Sequence, residues 1–350
     1  MFLLGCSGMK REALGSFNVI YAFVDEAEMD DVKEPLEITF ERQIITPRPE
    51  KLFRINWGDT SSFGDATAHH IVLVAASLES PGHWGAFVRR SISNETRDSV
   101  RAGRYHIFVK RDEWASKQIL IVLTARTSGE LRDFILSNTD YLFGIVNDFC
   151  NENVALWLFG EYGGEAERVD VERKILREYG FGIRVPRMFD WEAGSGDEHF
   201  IWLRALEPER WIFVWWAPID SQSTGKISLK WLRHIRDSLC AIYYEGDSIQ
   251  EGSITYERTI FRTMGLSDTS ETGLPALMYR ARWRNSQKAL GGPVVGFVMD
   301  DVKSGRRYII DGAVFAPGVR KEPYIRHCEV IIRSFCPDTS KFKMLMKKGR

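Results

Sequence analysis

From Leu277 to Arg284 the chain sets Leu277, Tyr279, Ala281 and Trp283 in alternation with Met278, Arg280, Arg282 and Arg284. Successive side chains of a strand point to opposite faces, so this segment turns an apolar surface one way and a row of guanidinium groups the other. Guanidinium forks fit carboxylates, phosphates and anionic sugars. Arg258 and Arg262, at two-residue-period positions on a nearby strand, are placed to extend the row into an anion-binding face. The same pattern also describes a solvated face whose arginines pair with acids such as Glu257 and Asp311.

The remaining chemistry-bearing groups do not converge. Asp300 and Asp301 are adjacent, so on a strand they face opposite ways, and Ser304-Gly305 just beyond them marks a hairpin turn. His69-His70 fails as a metal pair on the same geometry. Asp197-Glu198-His199 lacks the helical H-E-x-x-H spacing of a zinc site. His327 and Cys328 sit about 100° apart on a helix, a poor arrangement for nucleophile and base. Gly291-Gly292-Pro293 reads as a tight connection without the lysine of a phosphate loop, and there is no G-x-S-x-G elbow. Of the 11 tryptophans, Trp202, Trp211, Trp215 and Trp216 fall in one hairpin. They admit a sugar-stacking platform, but Trp211 to Trp216 has no polar face, which favours core packing. These patterns assign no catalytic residue, metal or cofactor.

Hydropathy places the elements that carry these residues. Phe17–Val24 and Ile71–Ala75 read as buried strands, with a helix of about 15 residues after the first and a polar, proline-containing stretch from Thr46 to Ala68 wrapping the surface. A helix from Trp84 to Ile92 precedes strands at Tyr105–Lys110 and Gln118–Thr124. Thr127-x-x-Glu130 is a capping box opening a helix with apolar residues from Leu131 to Phe149, and Trp157–Phe159 reads as a strand. In the second half come a helix at Val169–Tyr179, a strand opening at Phe181-Gly182, a hairpin at Phe200–Leu206 and Trp211–Trp216, and a helix capped by Ser228 with Leu232, Ile235, Leu239 and Ile242 on one face. An antiparallel meander follows at Ile254–Thr263, Ala276–Arg284, Pro293–Met299 and Arg307–Phe315, then a helix with Pro323 in its first turn, stopped by Pro337. Lys341, Lys343, Lys347, Lys348 and Arg350 make a basic tail, read as a disordered end or a contact for anionic lipid.

Length and composition set the frame. At 350 residues, 44% hydrophobic and 27% charged, the chain is globular and long enough for two domains. The fold class that follows is α+β: two domains, each a mostly antiparallel sheet packed with helices. The segments are 1–15 as signal remnant and tether, 16–160 as an N-terminal domain, 161–180 as linker and bridging helix, 181–337 as an α/β/α sandwich, and 338–350 as the tail. A net charge of −1 argues against nucleic acid as a partner. No apolar run reaches the ~18 residues of a membrane span. The five cysteines show no C-x-x-C or zinc spacing, which implies buried free thiols for most of them.

Leu3-Leu4-Gly5-Cys6, followed by Ser7 and Gly8, is similar to the lipobox of bacterial lipoproteins, where the cysteine is acylated. No basic or complete apolar leader precedes it, so either the start is placed late or the match is accidental. Trp114-Ala115-x-x-Gln118, Tyr179-Gly180-Phe181 with Val185-Pro186, Phe200–Arg204, Leu290-Gly291-Gly292-Pro293, and Asp311-Gly312 before Phe315-Ala316-Pro317-Gly318 resemble a bacterial family, domain of unknown function 4837, from about Asn18 to Phe335. That family implies lipoproteins of the Bacteroidetes type and brings no activity. The second half is similar to the PsbP type of sandwich, with its G-F-x-x-x-x-P opening and a last helix ending at Ser334-Phe335. These resemblances imply a cell-envelope protein held by lipid on Cys6, acting as a non-catalytic accessory or binding module for a protein partner. The alternative is an envelope enzyme whose anionic or sugar-bearing substrate is held by Arg280, Arg282 and Arg284.

Overall fold

The computed structural model describes residues 10–46, 48–160, 167–219, 227–266, 273–285 and 287–348. Cys6, Ser7 and Gly8 lie outside them, whereas residues 10–15, expected as part of the tether, form bridges from Glu12 to Ser116 and from Leu14 to His69 and bury Ala13. The chain divides into two units, Met1–Gln43 with Lys51–Asn153, and Ile44–Glu50 with Val154–Arg350. Both combine helices with sheets, so the class is α+β as expected.

The first unit is built on central strands with no polar face. Its elements run β1 (Val19–Val24), α1 (Met29–Phe40), β2 (Arg54–Gly58), β3 (Ile71–Ala75), α2 (His83–Ser91), α3 (Asn94–Arg101), β4 (Ile107–Arg111), β5 (Ile119–Leu123), α4 (Ser128–Ser137) and α5 (Thr139–Phe159). Every residue of β3 and β5 is buried. Such strands need cover on both faces, and parallel sheets with crossover helices supply it. The sheet order is β2-β1-β3-β5-β4, and the first four strands are parallel, with only β4 antiparallel to its neighbour. This corrects the antiparallel expectation for this half. Leu36, Phe40, Leu131, Ile135 and Val146 pack on one face, and Trp84, Val88 and Val100 on the other.

Other expectations here change too. The stretch from Thr46 to Ala68 is not merely a surface wrap, because it contains β2, which pairs with β1 and buries Ile55, and Phe53 just before it is buried too. Thr127 caps α4 as expected, accepting from the Glu130 amide, but the helix stops at Ser137 and a second begins at Thr139. Trp157–Phe159 ends α5 and is not a strand. Gln118 ties its loop together: its Oε1 accepts from the Trp114 and Ala115 amides, and its Nε2 donates to the Thr67 and His69 carbonyls.

The second unit contains α6 (Val169–Tyr179), β6 (Asp190–Ser195), β7 (Phe200–Ala205), β8 (Glu209–Pro218), α7 (Leu229–Tyr243), β9 (Ser248–Ile249), β10 (Thr255–Phe261), β11 (Leu274–Asn285), β12 (Leu290–Asp301), β13 (Arg306–Phe315), α8 (Glu322–Arg333) and α9 (Thr339–Lys348). The antiparallel sheet runs β9-β11-β12-β13-β8-β7-β6, with β10 alongside β11 at the edge. The Trp211–Trp216 strand is central, between β13 and β7. Leu232 and Leu239 of α7 pack on the face formed by Trp211, Phe213, Tyr279 and Trp283. On the other face Gly312 lies under α8, where an added Cβ would sit 2.7 Å from Cys328 and 3.2 Å from Ile332. The sandwich of helix, sheet and helix is therefore present.

Four details depart from the sequence reading. Gly291-Gly292-Pro293 lies within β12, where the Val314 carbonyl would be 1.9 Å from a Cβ at Gly292. Phe181–Pro186 forms bridges and no full strand; Gly182 exchanges two backbone hydrogen bonds with Cys336, and the Arg184 amide donates to Ser334 Oγ. Ile242 of α7 is exposed, and Arg236 and Cys240 take the buried positions instead. The described part of the basic tail contains the helix α9, whose Phe342 is buried over Gly182. Cys150, Cys240, Cys328 and Cys336 are buried free thiols, as expected.

Between α7 and the sheet lies a charge pair removed from water. Arg236 Nε donates to Asp311 Oδ2 at 2.8 Å, Nη2 donates to Oδ1 at 3.2 Å, and the Tyr279 hydroxyl donates to Oδ2 at 2.5 Å. Both charged side chains are 2% exposed. Truncating one member would strand the other charge, at a cost of about 3–5 kcal/mol, whereas an apolar pair of similar volume restores much of it. Asp311→Ala is therefore expected to destabilise the second unit by about that amount in urea unfolding followed by tryptophan fluorescence. Arg236→Met with Asp311→Leu should recover most of the loss, and equal losses in the two variants would contradict this account.

Candidate functional site

The arginine row forms, but not as an open anion site. Leu277, Tyr279, Ala281 and Trp283 are buried toward α7, which leaves Arg280, Arg282 and Arg284 on the opposite face. Arg280 lies 3.2 Å from Glu329 of α8 and 3.8 Å from Glu257 of β10. Burial works against ionisation of Glu329, but the guanidinium groups of Arg333, Arg280 and Arg326 overcome it and bring its pKa down to about 2. Arg282 is half-buried with its Nε lacking a hydrogen-bond partner, and Arg284 is exposed. Arg258 does not extend the row. It stands opposite Leu277 in the β10–β11 register, so it projects from the other face of the sheet.

A concavity lies at one end of the same sheet. A cleft of about 800 Å³ opens where β10 ends, the β12–β13 hairpin turns and α9 begins. Phe261, Leu266, Leu274 and Pro337 give it apolar wall, and Arg262, Lys303 and Lys341 give it positive charge. Both acids in the lining are already engaged. Asp301 accepts from the amides of Lys303 and Ser304, closing the hairpin turn. Asp338 accepts from the amides of Ser340 and Lys341 at the start of α9 and lies 2.6 Å from Lys303 Nζ, which lowers its pKa. Arg262 is exposed and has no acidic partner among the described residues. None of Arg280, Arg282 and Arg284 lines this cleft.

A second crevice, in the first unit, lies at the carboxyl ends of β1 and β3, lined by Asp25, Glu26, Ala27, Pro81 and Gly82. This is the topological switch point at which parallel sheets commonly take ligands. Here the N-terminus of α2 is taken by the protein's own carboxylate. Asp25 accepts from the amides of Trp84 and Gly85 at 2.9 and 2.8 Å and from the Ser80 hydroxyl. The donors that would hold an anion are thereby used up.

Other candidates resolve into structural roles. Arg307 holds Asp300 through two bonds of 2.6 and 2.9 Å. His69 and His70 bond the carbonyls of Leu14 and Lys117. Burial, with Arg210 and Arg326 close by, drives the pKa of His327 down to about 3, and its Nδ1 lies 3.1 Å from Arg210. Among the described residues no cluster of three or more His, Cys, Asp or Glu is placed to hold a metal ion. Glu172 is a group the sequence did not single out. It is buried, accepts from the Val185 amide at 2.8 Å, and neighbours Glu167, which Arg184 grips at 2.7 and 2.8 Å. Burial, then the charge of Glu167, raises the Glu172 pKa to about 9. Glu172 meets the Val185 amide, and Glu167 meets Arg184, only because α6 packs against the segment Gly182–Pro186, so no local motif announces the site.

Comparison with known proteins bears on the second unit. A family described as Domain of unknown function (DUF4837) matches residues 168–334. The match is narrower than the resemblance read from the sequence and leaves out Trp114-Ala115-x-x-Gln118. No curated protein matches the chain. Among solved structures, the chain is similar to the Ran-binding protein Mog1p of Saccharomyces cerevisiae at 13% identity and a TM-score of 0.28, over 47% of this chain and 95% of that one. A point mutant of the protein Mog1 is similar over the same shares at 13% identity and a TM-score of 0.26.

The Glu172 carboxyl keeps its proton up to about pH 9 in the folded chain, against 4.5 for an ordinary glutamate. Between those limits the folded state binds more protons than the unfolded one, so this group's contribution to stability is lost as pH rises. Glu172→Gln keeps an acceptor for Val185 and cannot ionise. Its unfolding free energy should fall less steeply than that of the parent from pH 5 to pH 9, measured by urea denaturation, and parallel pH profiles would contradict the assignment.

Proposed function

We propose that the chain is a cell-envelope protein anchored through lipid on Cys6, and that its second unit is a non-catalytic binding module for another envelope component. The cleft beside Arg262 is the observation that carries the binding reading. It joins apolar wall to a cation that the described residues leave unpaired, the combination by which a pocket both desolvates and orients a ligand. Several of the acids considered above serve the fold. Asp311, Asp300 and Glu329 are each held by arginine, and both cleft acids close a turn or cap a helix. The enzymatic alternative asks for the arginine row to meet an acid able to carry a proton; of the two acids that Arg280 meets, Glu329 has its pKa lowered to about 2 and Glu257 lies on the exposed edge strand. Leu3-Leu4-Gly5-Cys6 supports the anchor. A single diacylglyceryl group on the thiol, which brings two acyl chains, would suffice for stable attachment, as one chain does not.

Each half of the proposal has its own test. Expressed from its native gene with the codons upstream of Met1, the protein should incorporate an alkyne-labelled fatty acid and sediment with membranes. Cys6→Ser should abolish the label, and an unlabelled parent in the soluble fraction would refute the anchor. For the module, a photocrosslinking residue at Leu266 should give a discrete adduct in intact envelopes that Arg262→Glu suppresses, while the same residue at exposed Ile242 gives none. Matching adducts at both sites, or none at Leu266, would refute the cleft.

A further inference from the structure

The sheet of the second unit ends in an uncovered strand. β10 (Thr255–Phe261, TYERTIF) pairs with β11 on one side, and among the described residues no strand pairs with its other side. Its first four residues and Ile260 are exposed, so it extends past the helical layers on both faces. Tyr256 is 56% and Ile260 41% exposed. Aromatic and β-branched residues on a free edge of this length form a ready template for another strand, and natural proteins usually blunt such edges.

The charges along the edge narrow the occupant. Glu257 is matched by Arg280 across the ladder, 3.8 Å away. Arg258 is exposed with no acidic partner among the described residues, and so is Arg262 just past the end of the strand, in the cleft. Tyr256, Arg258 and Ile260 share one face, since they stand opposite Tyr279, Leu277 and Pro275. The edge therefore offers free backbone groups and an aromatic–cation–aliphatic order, with a second cation where the cleft opens. A second copy of the chain is a poor fit, because antiparallel overlap of the whole strand with itself sets Arg258 against its own copy. The complement is an extended segment whose matching face sets an acidic residue between two apolar ones.

We propose that the free edge of β10 docks an extended, acidic segment of a partner polypeptide by strand addition, with Arg258 reading an acid and the end of the segment directed toward Arg262. This rests on the reading of the second unit as a binding module and names the chemistry of what it binds. Main-chain bonds would supply affinity in such a complex, and the side chains on the Tyr256 face would supply selection.

The test uses the full chain and two short synthetic peptides of threonine-based strand sequence, one with valine, glutamate and valine at successive alternate positions, so that all three share a face, and one with lysine in place of that glutamate. Binding is followed by fluorescence anisotropy, and backbone protection by hydrogen exchange. The glutamate peptide should bind, weaken with added salt, and protect amides within Thr255–Phe261; the lysine peptide should not. Arg258→Glu should weaken binding about tenfold or more while leaving the thermal melt unchanged. Equal binding of the two peptides, indifference to Arg258→Glu, or no added protection in Thr255–Phe261 would overturn the proposal. Protection confined to Thr263 and Gly273–Leu274 would also overturn it, while leaving the cleft as a site. A concentration-dependent dimer that protects Thr255–Phe261 without peptide would assign the edge to a second copy and overturn it as well.

Discussion

The second unit is organised around a carboxylate that cannot be left alone. Asp311 sits on β13 in the middle of the sheet and receives two bonds from Arg236 of α7 and one from Tyr279 of β11. Taking both charges out of water is costly, and their mutual attraction repays this only with favourable geometry and further hydrogen bonds. The node therefore specifies position more than it adds stability. A one-residue slip of β13 would turn Asp311 to the α8 face and leave Arg236 unpaired, so the pair fixes strand register and the placement of α7 together. Trp211, Phe213 and Trp283 close the apolar surroundings.

That register determines what the sheet can present. With β13 fixed, β12 and β11 follow along the meander, and Arg280 falls beside Glu329 instead of facing solvent. The β12–β13 turn is then placed by Asp301 and the start of α9 by Asp338, and Lys303 ties the two together. The cleft is the space these pieces leave beside the end of β10. Arg262 stands out there because the neighbouring acids have work elsewhere in the fold.

Much of this was legible in the sequence, and the failures have physical causes. Alternation along Leu277–Arg284 gave the two faces of β11, and Ser228 and Thr127 marked helix starts through side chains that accept amide bonds. The parallel sheet of the first unit was misread because a short apolar run shows that a strand is buried and says nothing of its neighbour's direction. The strand with Ile55 was missed for a related reason, since its exposed neighbours Arg54 and Asn56 hide it in a polar context. Arg258 was assigned to the wrong face because strand parity is meaningful only within one strand, and the register across the ladder is a tertiary fact. The tail was taken for a loose end on its charge, although Phe342 and Leu345 fall three apart and bury together on one side of α9. Nothing local could have exposed Glu172, whose protonation depends on segments brought together by folding.

The motifs that carry the family resemblance are fold determinants, which limits what they can say about activity. Gly180 takes the left-handed conformation that ends α6, with φ +76°, a position that suits glycine. Gly182 leaves room for the Phe342 ring, Gly292 for the Val314 carbonyl and Gly312 for α8. Asp311 completes the buried node, and Ser334 bonds the Arg184 amide beside the Gly182–Cys336 bridge. A set of residues chosen by packing of this kind would be shared by proteins with different ligands, since a fold is a scaffold on which sites are carried. Discrimination then has to come from positions the scaffold leaves free. In the second unit these include Tyr256, Arg258, Ile260 and Arg262, each exposed.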